Sequence, residues 1–173
     1  MMVGRSVLLR IDKREPNIGD TVFEVKNINV KDNLDVMRVK NVSFDLKKGE
    51  ILGIAGVTGN GQTELLEALT GICQVDSGEI KLYGKTISSK KIFAGPKQLR
   101  EQEVAHVPED RQRMGLVTEF NASENLIFGY HHQEPFSKSS VMMGKNIFNH
   151  SKKIMQDYDV RPQSPFLLTS NFS

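Results

Sequence analysis

A short stretch of this sequence has the residue types and the spacing to hold a phosphate group. In "GIAGVTGNGQTELLEAL", residues 53–69, four residues separate Gly56 from Gly61, and Thr63 follows close behind. Glycines placed this way let backbone N–H groups turn inward around an anion, in conformations that a side chain penalises. A helix that begins at the second glycine adds positive potential at the same point. A hydroxyl at position 63 can ligate a Mg2+ ion that bridges phosphate oxygens. The expected cradle is Gly56, Val57, Thr58, Gly59, Asn60, Gly61, Gln62, Thr63 and Glu64, with Thr63 as the metal ligand.

Position 62 breaks the pattern. The phosphate-loop motif carries a lysine there, and this chain has Gln62. A carboxamide donates a neutral hydrogen bond and neutralises no charge. Hydrogen bonds to charged groups contribute about 1.5–3 kcal/mol, so the exchange should weaken nucleotide binding roughly ten- to a hundredfold. Phosphoryl transfer should suffer more, because transition-state charge loses its preorganised partner. Two other readings share the glycines. One is a plain strand-to-helix turn without a ligand. The other is a dinucleotide fingerprint, G-x-G-x-x-G, with Gly59 and Gly61 in its first two places; its third place is Glu64, where close helix–strand packing wants a glycine.

The elements that would position such a loop can be read from the periodicities. Residues 21–30 and 39–50 alternate apolar and polar side chains, as half-buried strands do, with Val22, Phe23, Val25, Ile28 and Val30 supplying the first apolar face. "ILGIAG", 51–56, is a continuous apolar run and predicts a strand covered on both faces. Residues 61–72 switch to helical spacing, with Leu65, Leu69 and Ile72 on one stripe and Glu64 in the first turn. A further strand is expected over 77–85 and a short helix over 95–102, entered through Pro96. Residues 103–117 read as a brief strand followed by a charged loop. Asn121 and Glu124 have the spacing of a capping box, and a second helix is expected over 144–158.

Bulk properties exclude several classes. Charged residues are 25% and the net charge is +2 with both signs interspersed, so no basic footprint for nucleic acid exists. No apolar run approaches the roughly 20 residues that span a bilayer, so direct membrane insertion is not expected. Cys73 is the single cysteine and can form no internal disulfide, which suits a reducing compartment. Adjacent His131 and His132 diverge from one another and lack metal-binding spacing. Glu109, Asp110 and Arg111 read first as a solvated loop braced by ion pairs.

With its flanks, the glycine loop resembles the ATP-binding cassettes of ABC transporters. The resemblance rests on "NVSFDLKKGEILGIAGVTGNGQTELLEALTG", on "VDSGEIKLYGK" and on "NASENLIFG", which occur in the family's order. "MVGR", "GVTGNGQTEL" and "HVPEDRQRMGLV" are similar to the second, degenerate cassette of tandem ATPases that serve importers of simple sugars and nucleosides. The resemblance implies an α/β fold: a P-loop NTPase core with an antiparallel β layer and a partial helical subdomain entered at about 118–160, the later core strands missing. Residues 1–20 would be a linker between cassettes, and 21–173 the N-terminal part of a nucleotide-binding domain.

It further implies ATP and Mg2+ as cofactors, a partner cassette in the same full-length chain, transmembrane permease subunits as partners, and a cytoplasmic position at the inner face of the cell membrane. Where the family has a phosphate-sensing glutamine this chain has Glu109, so a coupling or structural role is expected for Glu109, with Asp110 and Arg111 beside it in the coupling loop. The family's adenine-stacking aromatic has no counterpart in "VKDNLDVMRVK". Phe172 and Ser173 would be the first two residues of the family's signature motif. The resemblance thus implies a cassette fragment that names no general base and is inactive by itself, or, as an alternative, a nucleotide-free docking module for the permease.

Overall fold

The computed structural model of the chain describes residues 15–57 and 59–172. Thr58, Ser173 and the "MVGR" segment lie outside the described residues. The chain divides into two compact units, Met1–Val104 and Ala105–Ser173.

The first unit is built on a four-stranded antiparallel sheet in the order β2-β1-β3-β4. β1 (Thr21–Lys31) and β2 (Met37–Lys47) are the two half-buried strands that the alternation predicts. The turn between them is organised by Asp32, whose carboxylate accepts the N–H groups of Leu34 and Val36, both at 2.9 Å. In β1, Val25, Ile28 and Val30 are all buried, although strict alternation would put residues 25 and 28 on opposite faces. The register slips between them, where Asn27 takes φ 48°, and the bulge returns the apolar side chains to the core face. Asn41, at φ 50°, marks the matching slip in β2 between Val39 and Val42.

β3 (Ser77–Leu82) turns back into β4 (Lys85–Ser89) through Tyr83 and Gly84, at φ 49° and 74°. Two positive φ values at the centre of a two-residue loop match the twist of the flanking strands. The single strand expected over 77–85 is therefore a hairpin. α1 (Gln62–Leu69) contacts β1 and β2 and contributes Leu65 and Ala68 to the core. α2 (Pro96–Glu101) opens with proline in its first turn and buries Leu99.

One expectation fails here. Residues 51–57 form no strand: Ile51 is 94% exposed, Ile54 47% and Val57 73%. A strand covered on both faces needs neighbours to take its N–H and C=O groups. Among the described residues no strand pairs with this segment, and its apolar side chains face solvent.

The second unit is helical. α3 (Arg111–Met114) is a single turn inside the expected charged loop, and the brief strand expected before it is absent. α4 (Ala122–Ile127) starts at the expected capping box. Asn121 Oδ1 accepts the Glu124 N–H at 3.0 Å, and Glu124 Oε2 accepts the Asn121 N–H at 2.8 Å. A two-residue hairpin pair, β5 (Ser137–Lys138) and β6 (Val141–Met142), precedes α5 (Gly144–Asp157). α4 packs on α5, with Ile127, Ile147 and Met155 buried. Asn125 ties the unit's ends together: its Nδ2 donates to Thr169 Oγ1 at 2.6 Å, and its Oδ1 accepts the Val117 N–H at 2.8 Å. Among the described residues, no helix is long and apolar enough to cross a membrane.

Candidate functional site

The glycine loop lies in the first unit, and its backbone has the shape the spacing demands. Gly59 sits at φ 84° and Gly61 at φ 97°, both in the region where an L side chain is strained. Between them Asn60 donates its N–H to the Val57 carbonyl at 3.1 Å, closing a turn. Gly61 then serves as the N-cap of α1, and its carbonyl accepts the Leu65 N–H at 2.9 Å. Among the described residues no side chain caps this helix, which leaves its first-turn N–H groups to an anion.

A cavity of about 360 Å³ opens at the loop. Gly56, Val57, Asn60, Gly61 and Gln62 line it together with Ile54, Ala55 and Leu65. Gly59, Thr63 and Glu64 do not line it, and Thr58 lies outside the described residues. The opposite wall comes from β2: Arg38, Val39, Lys40 and Val42. Among the described residues two cations and no carboxylate line the cavity, which favours an anionic occupant.

Gln62 folds back over the loop. A methyl group placed on Gly56 would overlap Gln62 Nε2 and stand 2.9 Å from its Cδ. The carboxamide therefore covers the near end of the cradle, where only glycine leaves room for it. Gly61 is equally confined from the other side, since a methyl there would lie 2.6 Å from the Arg38 carbonyl oxygen. Strand β2 and the start of α1 are thus in direct contact.

Arg38 was not singled out by the sequence, where the search before "NVSF" was for an aromatic ring. Its signal was the pair of cations in "RVKN", one strand upstream of the loop. Arg38 Nε donates to Asp32 Oδ2 at 2.7 Å. That hydrogen bond, with the Val36 and Leu34 N–H groups, holds the Asp32 carboxyl below the usual carboxylate range. In return it raises the already high pKa of Arg38.

Glu109, Asp110 and Arg111 lie in the second unit. Asp110 Oδ1 accepts the Arg113 N–H at 2.9 Å and caps α3. Among the described residues no ion pair joins the three, so the loop is braced by a helix cap and not by the expected ion pairs.

The sequence model of the family described as ABC transporter matches residues 39–165. This chain belongs to that family. Nucleoside import ATP-binding protein NupA of Lactococcus lactis subsp. cremoris (strain MG1363) is 40% identical over 173 residues, which is 100% of this chain and 33% of that protein. Guanosine import ATP-binding protein NupO of Bacillus subtilis (strain 168) is 38% identical over 161 residues, covering 93% of this chain and 31% of its own length. A ribose import ATP-binding protein, RbsA of Bacillus cereus (strain ATCC 14579), is 35% identical over 164 residues. The chain spans about a third of the length of the curated relatives it matches.

Among solved structures, the ADP conformation of MJ1267, an ATP-binding cassette of an ABC transporter, superposes with a TM-score of 0.64 at 20% identity, over 90% of this chain and 60% of that one. The dimeric cassette MJ0796 bound to ADP and Pi gives 0.65 at 15% identity, over 87% and 63%. The fold is therefore that of the ABC ATPase, a P-loop NTPase architecture with an antiparallel β layer.

Proposed function

We propose that this ABC transporter chain is the nucleotide-holding part of an energy-coupling subunit in an importer of nucleosides or simple sugars. The observation that carries the reading is the cradle: a loop with two glycines at positive φ, an uncapped helix N-terminus and a cavity walled by cations. Nucleosides are favoured over sugars as cargo, because among relatives aligned over more than nine-tenths of the chain those named for nucleoside and guanosine import are 40% and 38% identical, against 35% for the ribose relative.

In this reading the backbone of Gly56, Val57, Thr58, Gly59, Asn60, Gly61, Gln62, Thr63 and Glu64 binds the phosphates of ATP. The loop backbone fits that ligand, and Thr63, which does not line the cavity, would be the hydroxyl that holds Mg2+; a bound Mg2+ would supply neutralising charge at the phosphates. Gln62 contributes a neutral donor, so nucleotide is held weakly and turned over poorly. The chain corresponds to a second, degenerate cassette that completes an ATP site with a partner cassette in the same full-length protein. Glu109, Asp110 and Arg111 form a coupling loop toward transmembrane permease subunits, on the cytoplasmic side of the membrane.

Titrating the 15N-labelled chain with Mg-ATP tests the reading. Saturable shifts of the amides around 59–64 are expected, larger than those given by NAD. Unmoved loop amides at millimolar Mg-ATP would contradict it. They would support a second reading, a docking module that binds the permease without nucleotide, which the Gln62 carboxamide lying over Gly56 favours.

A further inference from the structure

We propose that Arg38, oriented by Asp32, grips the phosphates of the nucleotide held in the 56–63 loop and supplies the cationic contact that Gln62 lacks. The proposal rests on the nucleotide-binding reading above. Three observations carry it. First, Arg38 lines the same cavity as Gly56, Asn60, Gly61 and Gln62. Second, its strand touches the helix start: a methyl on Gly61 would stand 2.6 Å from the Arg38 carbonyl oxygen and 3.6 Å from Arg38 Cβ. The side chain thus leaves β2 beside the first turn of α1, near enough that the Glu64 charge acts on it.

Third, the guanidinium is preorganised. Asp32 takes Nε at 2.7 Å, and Asp32 is itself fixed by two backbone N–H groups and only 9% exposed at its side chain. A guanidinium carries five N–H donors in a rigid fork, and the Nε contact uses one of them. Among the described residues no acceptor takes the others. Fixing Nε removes most of the rotamer entropy that a phosphate contact would otherwise cost.

The charges nearby set the limits of this role. Asp32 and Glu64 offset much of the Arg38 field at long range, so it steers little. At contact distance a charge-assisted N–H···O bond is still about twice as strong as a neutral one, and a bidentate Arg–phosphate contact has matching geometry. Lys40, also on the cavity wall, has no hydrogen-bonded or ion-paired partner among the described residues and adds a second, less directed charge.

Calorimetric titration of this chain with Mg-ATP and with inorganic tripolyphosphate tests the assignment, using Arg38→Gln, Arg38→Lys and Arg38→Gln/Gln62→Lys. Arg38→Gln should weaken both ligands by about tenfold or more. Arg38→Lys should fall between, since lysine keeps the charge and loses the fork. The double variant should regain affinity, because charge returns from the helix side. Unchanged thermal unfolding of Arg38→Lys keeps the comparison clear of misfolding. Equal affinity in Arg38→Gln would overturn the proposal. So would a loss confined to Mg-ATP with tripolyphosphate unaffected, which would assign Arg38 to the base. If the unmodified chain bound neither ligand, the nucleotide reading itself would fall; binding that survives every Arg38 variant would remove only Arg38.

Discussion

The Gln62 carboxamide lies over Gly56, so that residues at the two ends of the phosphate loop touch across it. A neutral side chain thus occupies the position from which the motif's lysine would act, and glycine at 56 makes the room.

This contact predicts a distinctive double variant. In Gly56→Ala the new methyl overlaps the far end of a flexible side chain, which can swing away, so unfolding free energy should fall by about 1 kcal/mol or less. Adding Gln62→Ala removes the obstacle, and the pair should be no less stable than Gly56→Ala alone. Urea denaturation of the four members of the cycle checks this. Strictly additive losses would mean that the two residues do not meet.

Gly61→Ala should behave differently, because its obstacle is backbone. The methyl would stand 2.6 Å from the Arg38 carbonyl oxygen, at a φ of 97° that alanine tolerates poorly. Strain and forced strand–helix separation together should cost about 2–4 kcal/mol, read as a lowered urea midpoint. A midpoint within error of the parent chain would refute the tight contact between β2 and α1.

Cys73 gives a pH signature. Burial, reinforced by the Glu67 carboxylate, pushes its thiol up from the ordinary 9.0 to about 11. The folded state keeps the proton longer than the unfolded chain. The thiol's contribution to stability is therefore fully present below about pH 9 and is lost as pH rises toward about 11. The alkylation rate with iodoacetamide should inflect near pH 11 in the native chain and near pH 9 in urea. Coincident profiles would show the thiol to be solvated in the native fold.

Much of this was legible in the residues. The capping box was readable because Asn121 and Glu124 interact locally, at a fixed spacing. The glycine loop was readable because Gly59 and Gly61 adopt backbone conformations that few other residues accept. Features that depend on distant partners were not. The apolar run at 51–56 looked like a buried strand, yet periodicity cannot report whether neighbours exist to pair with it. Tyr83 at φ 49° is no usual turn signal, so the β3–β4 hairpin was read as one strand. Arg38 joins the site only because β2 folds against α1, and no local pattern encodes that approach. Asp110 looked like one member of an acidic and basic run, whereas its oxygen is committed to a helix cap.

The central claim is that the loop still cradles nucleotide and is limited by the missing charge at position 62. Isothermal titration with Mg-ATP, comparing this chain with its Gln62→Lys variant, tests it most directly. The account predicts binding in the micromolar to low-millimolar range for Gln62, tightened roughly ten- to a hundredfold by lysine. No heat from either protein at millimolar Mg-ATP, or equal affinity in both, would contradict it.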